Sequence, residues 1–259
     1  MTRSAPQLEL SGVEETALLT LYARAIESQS DDPILKDEKI EAMVKVLDNH
    51  LHGQNSKMAE QLKNRSIDPR LTVHIQLRAK KYDQYAFDFL EIHPVGVIVN
   101  IGCGLDPRFF RVDNGQTQFF DLDLPNMIDL KRQLLEENDR YHLIGQSVLD
   151  FEWMDRIAKL NLPALILAEG VFMYLPKEKV RELVLRLQKR FPGSELVCEL
   201  TNKSWVEGFW GKMAALKMKN RFKMSQDAVF QFGVSKASEF EDWGEGIEFL
   251  EKWFYMESG

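Results

Sequence analysis

Two glycines and two carboxylates are the residues whose types and spacing most directly suggest chemistry. The run Val97-Ile98-Val99-Asn100-Ile101 leads straight into Gly102-Cys103-Gly104-Leu105-Asp106-Pro107-Arg108. Two glycines separated by one residue let a backbone turn tightly and approach a ligand with no Cβ in the way. Alone, the pair fits a plain turn at the end of a buried strand equally well. About twenty residues later, Gln118-Phe119-Phe120-Asp121-Leu122-Asp123 ends in two acids, where nucleoside-binding α/β proteins keep the carboxylate that accepts ribose hydroxyls. A carboxylate is acceptor-only and takes both hydroxyls at once. An acid before Leu124-Pro125 would also stabilise a helix start, so Asp123 fits either role. A nicotinamide dinucleotide fits poorly. Its fingerprint needs a third glycine three positions after the second, and that position is Pro107. Proline removes a backbone donor that a pyrophosphate needs, and Phe109-Phe110-Arg111 does not look like a phosphate-cradling turn. The pattern suits a nucleoside ligand without phosphates, of which S-adenosylmethionine is the common one.

These groups need a framework of strands and helices to hold them. The short apolar, β-branched run Val97–Ile101 suits a parallel strand buried on both faces, and similar strand candidates follow at Gln118–Leu122, Tyr141–Gly145, Ala164–Ala168 and Glu195–Leu200. Pro125 opens a helical pattern with Ile128, Leu134 and Leu135, and Pro176 opens another with Val180, Leu183, Val184 and Leu187. Strands alternating with helices predict βαβ units and a mostly parallel sheet. Gly246–Tyr255 is a candidate sixth strand, and the remaining length leaves no room for a seventh. Ahead of the sheet, residues 14–92 read almost entirely as helix. Leu18, Leu21, Tyr22 and Ala25 form one stripe. Asp32-Pro33 predicts an N-cap and first turn, His50 to Asn64 reads as a polar surface connection, and a helix from about Pro69 carries Ile75, Ala79, Tyr82, Ala86 and Phe89. Ser204–Met224 reads as an amphipathic helix ending in a basic cluster, which is most simply a solvated face.

Composition limits the class. The chain has 259 residues, 44% apolar and 28% charged, with a net charge of −7, which excludes a disordered chain. No apolar run approaches the roughly 20 residues that span a bilayer, and MTRSAPQLEL lacks the apolar core of a secretory signal. The two cysteines, Cys103 and Cys198, argue against a disulfide framework or a zinc cluster, so a cytoplasmic setting is expected. The acidic balance argues against nucleic acid as a partner. A small-molecule acceptor is the expected partner, with neither nucleic acid nor membrane.

Several blocks now carry a resemblance. They are S-G-V-E-E-T-A-L-L-T-L-Y-A-R-A-I-E-S (11–28), V-N-I-G-C-G-L-D-P-R-F-F-R-V (99–112), F-D-L-D-L-P (120–125), S-V-L-D-F-E-W-M (147–154) and L-A-E-G-V-F-M-Y-L-P (167–176). In this order they resemble the leucine carboxyl methyltransferase family of S-adenosylmethionine-dependent enzymes, nearest its bacterial polyketide-type O-methyltransferase branch. The resemblance implies a Rossmann-like class I methyltransferase sheet, strand order 3-2-1-4-5 plus a C-terminal strand. It also implies a helical N-terminal cap or lid over 1–92 and a core over 93–259 with a helical insertion at about 204–224. Its implied cofactor is S-adenosyl-L-methionine. Gly102 and Gly104 would let the backbone approach it, and Asp123, with Asp121 beside it, would hold the ribose.

Arg78 matches an arginine that grips the cofactor's carboxylate in this family. Its helical phase lies close to the Ile75/Ala79/Tyr82/Ala86 stripe, and a guanidinium near a buried face needs an anion, either a ligand's or the protein's own. Arg24 is a second carboxylate contact by resemblance, although its phase points away from the apolar stripe of its helix. Ser147 and Val148 fall where the adenine is contacted, with Asp150 fitting an acidic adenine contact or a helix cap. Glu169 matches a glutamate near the cofactor's amino group; a half-buried carboxylate there wants a cation. Tyr174 falls on the acceptor side or simply packs with Phe172 and Leu175. Cys103 suits packing rather than nucleophilic attack.

The family methylates oxygens, characteristically carboxylates, which are ionised at pH 7 and need no general base. That agrees with five histidines (His50, His52, His74, His93 and His142) lying outside the matching motifs. The N-terminal helices and 204–224 would shape an acceptor pocket, with Trp205, Phe209 and Trp210 supplying aromatic walls or ordinary core. The expected activity is O-methylation of a carboxylate or hydroxyl on a small aromatic or polyketide-like acceptor. A protein C-terminal carboxylate as acceptor, or a non-catalytic binding module, are the alternatives.

Overall fold

The computed structural model describes residues 13–51, 57–206 and 230–254. Five strands form the sheet: β1 (Val97–Ile101), β2 (Gln118–Asp123), β3 (Tyr141–Gly145), β4 (Ala164–Ala168) and β5 (Glu195–Cys198). All neighbours run parallel in the order β3-β2-β1-β4-β5, the order that the family resemblance implies. β1 and β4 are buried at every position, because helices cover both faces. Strand order reverses between β1 and β4, so their carboxyl ends flank the crevice where such sheets bind ligands.

Among the described residues four helices precede β1: α1 (Val13–Ser28), α2 (Glu38–Leu51), α3 (Lys57–Lys63) and α4 (Pro69–Ile92). α4 begins as its sequence dictates. Asp68 accepts the Arg70 N–H at 2.9 Å and Pro69 occupies the first turn, while Ile75, Ala79, Tyr82, Ala86 and Phe89 are all buried. Two local features differ from the expectation. α2 starts at Glu38 rather than after Asp32-Pro33, because Asp37 does the capping: its Oδ1 accepts the Ile40 N–H at 3.0 Å. The segment expected as a surface connection contains α3, whose Ala59 and Leu62 are fully buried.

The remaining α-helices among the described residues are α5 (Phe109–Val112), α6 (Pro125–Leu134), α7 (Glu152–Ala158) and α8 (Lys177–Arg190). One apolar cluster runs without a break from Leu18, Ile40 and Leu62 through Tyr82 and Phe89 to Ile98, Phe119, Tyr141 and Leu165. The N-terminal helices therefore pack directly on one face of the sheet. The other face, with Val99, Phe120 and Ile166, buries Trp153 of α7, Leu183 of α8 and the later Phe232, Phe240 and Trp243.

Two expectations after β5 need comment. The stretch 246–254 is not a sixth strand: it has no ladder partner among the described residues. It passes irregularly from α8, where the Gln188 amide donates to the Glu245 carbonyl, to α4, where Glu251 pairs with Lys81 at 3.9 Å. Phe249, Leu250 and Phe254 stay exposed along it, so no buried face fixes a strand register. The expected helix at 204–224 lies outside the described residues beyond Val206. Its first residues belong to a 3-10 turn, Lys203–Trp205, with Trp205 exposed; Phe209 and Trp210 fall outside. No helix among the described residues is long and apolar enough to cross a membrane.

Candidate active site

The loop after β1 turns on its two glycines. Gly102 and Gly104 have φ of 63° and 49°, the left-handed region that a side chain makes costly. At Gly102 a Cβ would also lie 2.3 Å from Val171 Cγ2. The loop is tied to the end of β2, since the Leu122 carbonyl accepts the Gly102 N–H at 2.7 Å. Asp123 completes the tie: Oδ2 accepts the Gly104 N–H and Oδ1 the Leu124 N–H, each at 2.7 Å. It does not cap the first turn of α6, where Leu124 stands in the cap position with no side-chain bond. Each oxygen keeps a further acceptor site. Burial raises the Asp123 carboxyl above the usual range, against the opposing pull of the two backbone N–H groups.

Asp121 does not share this position. It is 0% exposed and fully engaged, with Lys131 Nζ at 2.7 Å, the Tyr141 hydroxyl at 2.6 Å and Asn100 Nδ2 at 2.9 Å. Two residues further down the strand, the same side-chain direction leads into the core instead of the crevice. Asp121, expected beside Asp123 at the ribose, is thus engaged by groups of the protein itself.

Across the crevice, Glu169 follows β4 directly. Arg78 of α4 donates from Nε to Glu169 Oε1 at 2.7 Å and from Nη1 to Glu199 Oε2 at 3.1 Å. Arg108 donates to Glu169 Oε2 at 2.5 Å. Burial would raise the Glu169 carboxyl, but Arg78 and Arg108 outweigh it and hold the group below the usual range. Here Arg78 meets the protein's own acids, one of the two options its sequence left open.

Arg24 corrects its helical-phase reading. It is only 2% exposed, with Asp106 at 2.7 Å and Asp37 at 3.6 Å. α1 is buried almost all round from Leu21 to Ala25, so phase does not choose an exposed side. Its Nε and Nη2 are buried without a hydrogen-bond partner.

Sequence reasoning missed the groups that join these side chains. Arg108 reaches Asp83 at 2.8 Å and Asp106 at 3.0 Å, and Arg111 reaches Asp83 at 2.6 Å, Asp37 at 2.7 Å and Asp106 at 2.9 Å. Asp83 left a readable signal, since it stands four residues after Ala79 and three before Ala86, inside the apolar stripe of α4. An acid at a buried phase requires a cation. His74, one turn before Arg78 on the same helix face, was also passed over. Burial and the Arg78 charge lower its pKa, and Glu199 acts in the opposite direction.

The expected adenine contacts follow β3. Ser147 Oγ accepts the Leu149 N–H at 3.2 Å, and Val148 packs against the apolar cluster beneath. Asp150 is exposed and accepts from Gln146 Nε2 at 3.1 Å; the cap position of α7 belongs to Phe151. Tyr174, half-buried, tilts against Phe230 with ring centroids 5.5 Å apart. Its hydroxyl pKa is raised by burial and the nearby Glu199 charge. Cys103 is buried, and burial with the Asp121 charge pushes its thiol well above the usual range, which makes it a poor nucleophile.

Comparison with known proteins identifies the family. Residues 17–188 match the leucine carboxyl methyltransferase family. The tetracenomycin polyketide synthesis O-methyltransferase TcmP of Streptomyces glaucescens is 30% identical over 97% of this chain and 86% of its own length. The S-adenosyl-L-methionine-dependent methyltransferase dpfgK of Gibberella zeae is 30% identical over 73% of this chain and 64% of its own. A SAM-dependent methyltransferase structure from Anabaena variabilis aligns over 64% of this chain and 69% of its own, with a TM-score of 0.46 and 15% identity. With its family matched across most of the chain, the protein belongs to the leucine carboxyl methyltransferase family and is an S-adenosylmethionine-dependent methyltransferase.

Proposed function

We propose that this chain transfers the methyl group of S-adenosylmethionine to an oxygen, carboxylate or hydroxyl, of a small aromatic or polyketide-like acceptor. The observation that carries this reading is the pairing across one crevice of a glycine turn held by Asp123 with the Arg78–Glu169 ion pair. The residues fit the cofactor's parts. Asp123 keeps acceptor sites for two ribose hydroxyls, and Gly102 and Gly104 keep Cβ atoms out of the approach. Arg78 and the Arg24 nitrogens that lack a hydrogen bond suit a carboxylate. Glu169 suits the neighbouring ammonium. Ser147 and Val148, at the end of β3, line the adenine side.

When bound, S-adenosylmethionine supplies an activated sulfonium methyl, which moves with loss of S-adenosylhomocysteine to an acceptor oxygen and leaves an ester or ether. The protein's contribution is alignment and exclusion of water. Tyr174 stands at the acceptor side, and α1 to α4 act as the cap that closes it. An ionised carboxylate acceptor requires no base, whereas a phenol would have to give up a proton during transfer. The polyketide synthesis and O-methylation named for TcmP support a polyketide-like acceptor.

The test is calorimetry with S-adenosylhomocysteine, then a labelled-methyl assay over aromatic carboxylic acids and phenols. The expected result is binding followed by base-stable ethers or base-labile esters. Binding of NADH in place of S-adenosylhomocysteine, or cofactor binding with no transfer to any acceptor, rejects the reading.

A further inference from the structure

We infer that Arg108 is a positioning residue that fixes Glu169, as an anion and in one orientation, for the ammonium of the cofactor's amino-acid group. This rests on the reading of Glu169 proposed above. Arg108 is 0% exposed, and its donors are committed to three separate parts of the fold. Nε donates to Asp83 of α4 at 2.8 Å, Nη1 to Asn100 of β1 at 3.3 Å, and Nη2 to Glu169 beyond β4 at 2.5 Å. A guanidinium engaged in this way acts through its partners.

The local charge balance shows which partner depends on it most. Without Arg108, Asp83 keeps Arg111 at 2.6 Å, and Asp106 keeps both Arg111 and Arg24. Among the described residues Glu169 keeps one direct ion-pair partner, Arg78, which is shared with Glu199 at 3.1 Å. Once Arg78 turns to a ligand carboxylate, Arg108 is the protein cation still hydrogen-bonded to Glu169 among the described residues. The charged groups facing Glu169 are Arg78 from α4, Arg108 and Asp106 from the loop after β1, and Arg24 from α1. Without Arg108 the desolvation of Glu169 dominates, and the carboxyl takes up a proton at higher pH than in the parent chain.

The experiment measures S-adenosylhomocysteine affinity of the full chain and of Arg108→Met, Glu169→Gln and the double variant, from about pH 6 to about pH 8.5. Arg108→Met is expected to bind about tenfold more weakly at the alkaline end, as loss of a charged hydrogen bond implies. The ratio to the parent chain then grows as pH falls. In the double variant this extra slope disappears. A folded Arg108→Met with parental affinity, or one weakened by the same factor at every pH, overturns the inference while a weakened Glu169→Gln leaves the site reading intact. Parental affinity in Glu169→Gln rejects the site reading and the inference together. If Arg108→Met melts below the assay temperature, Arg108→Lys carries the test. One ammonium keeps the charge but cannot span Asp83, Asn100 and Glu169, so affinity falls without the slope; parental affinity there overturns the inference.

Discussion

Two buried charge clusters lie within a few residues of each other in this sheet, and they are built on different principles. Beneath β2, Asp121 is closed in by Lys131, Tyr141 and Asn100, with both members of its ion pair 0% exposed. At the crevice, Arg78, Arg108, Glu169 and Glu199 form a cluster whose outer members reach solvent. The first is engaged on all sides by the protein's own groups. The second has shared partners, so an incoming carboxylate and ammonium can replace protein groups without leaving any charge stranded. A satisfied buried ion pair is not in itself a functional site; one with exchangeable partners at the switch point of a parallel sheet is a strong candidate.

The largest effect is expected where the closed cluster is broken. Asp121→Asn leaves the Lys131 ammonium buried without its counter-charge, and should cost about 3–5 kcal/mol of stability. Urea denaturation measures this, while S-adenosylhomocysteine affinity of the remaining folded protein stays near the parent value. A stable variant that loses affinity would place Asp121 with the crevice and erase the distinction. Arg78→Met should do the opposite. It removes charged hydrogen bonds that a ligand would take over, worth about 1.5–3 kcal/mol in binding, with a smaller change in urea midpoint.

The smallest effect concerns pH. The Asp123 carboxyl is raised by burial, and its ionised form is the one that accepts two hydroxyls. Affinity for S-adenosylhomocysteine should therefore fall on acidification, with an onset above the pH at which an ordinary aspartate protonates. Asp123→Asn should weaken binding and remove that dependence, as followed by calorimetry across the acidic range. A parent chain with flat affinity through that range would show that Asp123 is needed only to tie the loop.

How much of this was legible depends on whether a signal is local. The glycine turn, the Asp123 position and Glu169 directly after β4 could all be read, because each is set by the end of a strand and the few residues that follow. The sequence places the start of α2 at Asp32-Pro33 instead of Asp37 because both offer a capping acid. It reads α3 as a connection because polar composition masks a helix whose small apolar face is covered from elsewhere. Arg24 was assigned to the wrong side because a helix wrapped all round gives its phase no meaning.

Sequence by itself therefore determined the alternation of strands and helices, the crevice loop and the family, as these rest on periodicity and on residues adjacent in the chain. Tertiary structure alone decided that Asp121 and Asp123 part company, and that Arg108 joins α4, β1 and Glu169. It also decided that 246–254 crosses from α8 to α4 instead of pairing with the sheet. The physical reason is common to all three. Which partner neutralises a buried charge, and which backbone accepts another strand, depends on residues tens of positions away that only packing brings within hydrogen-bond distance.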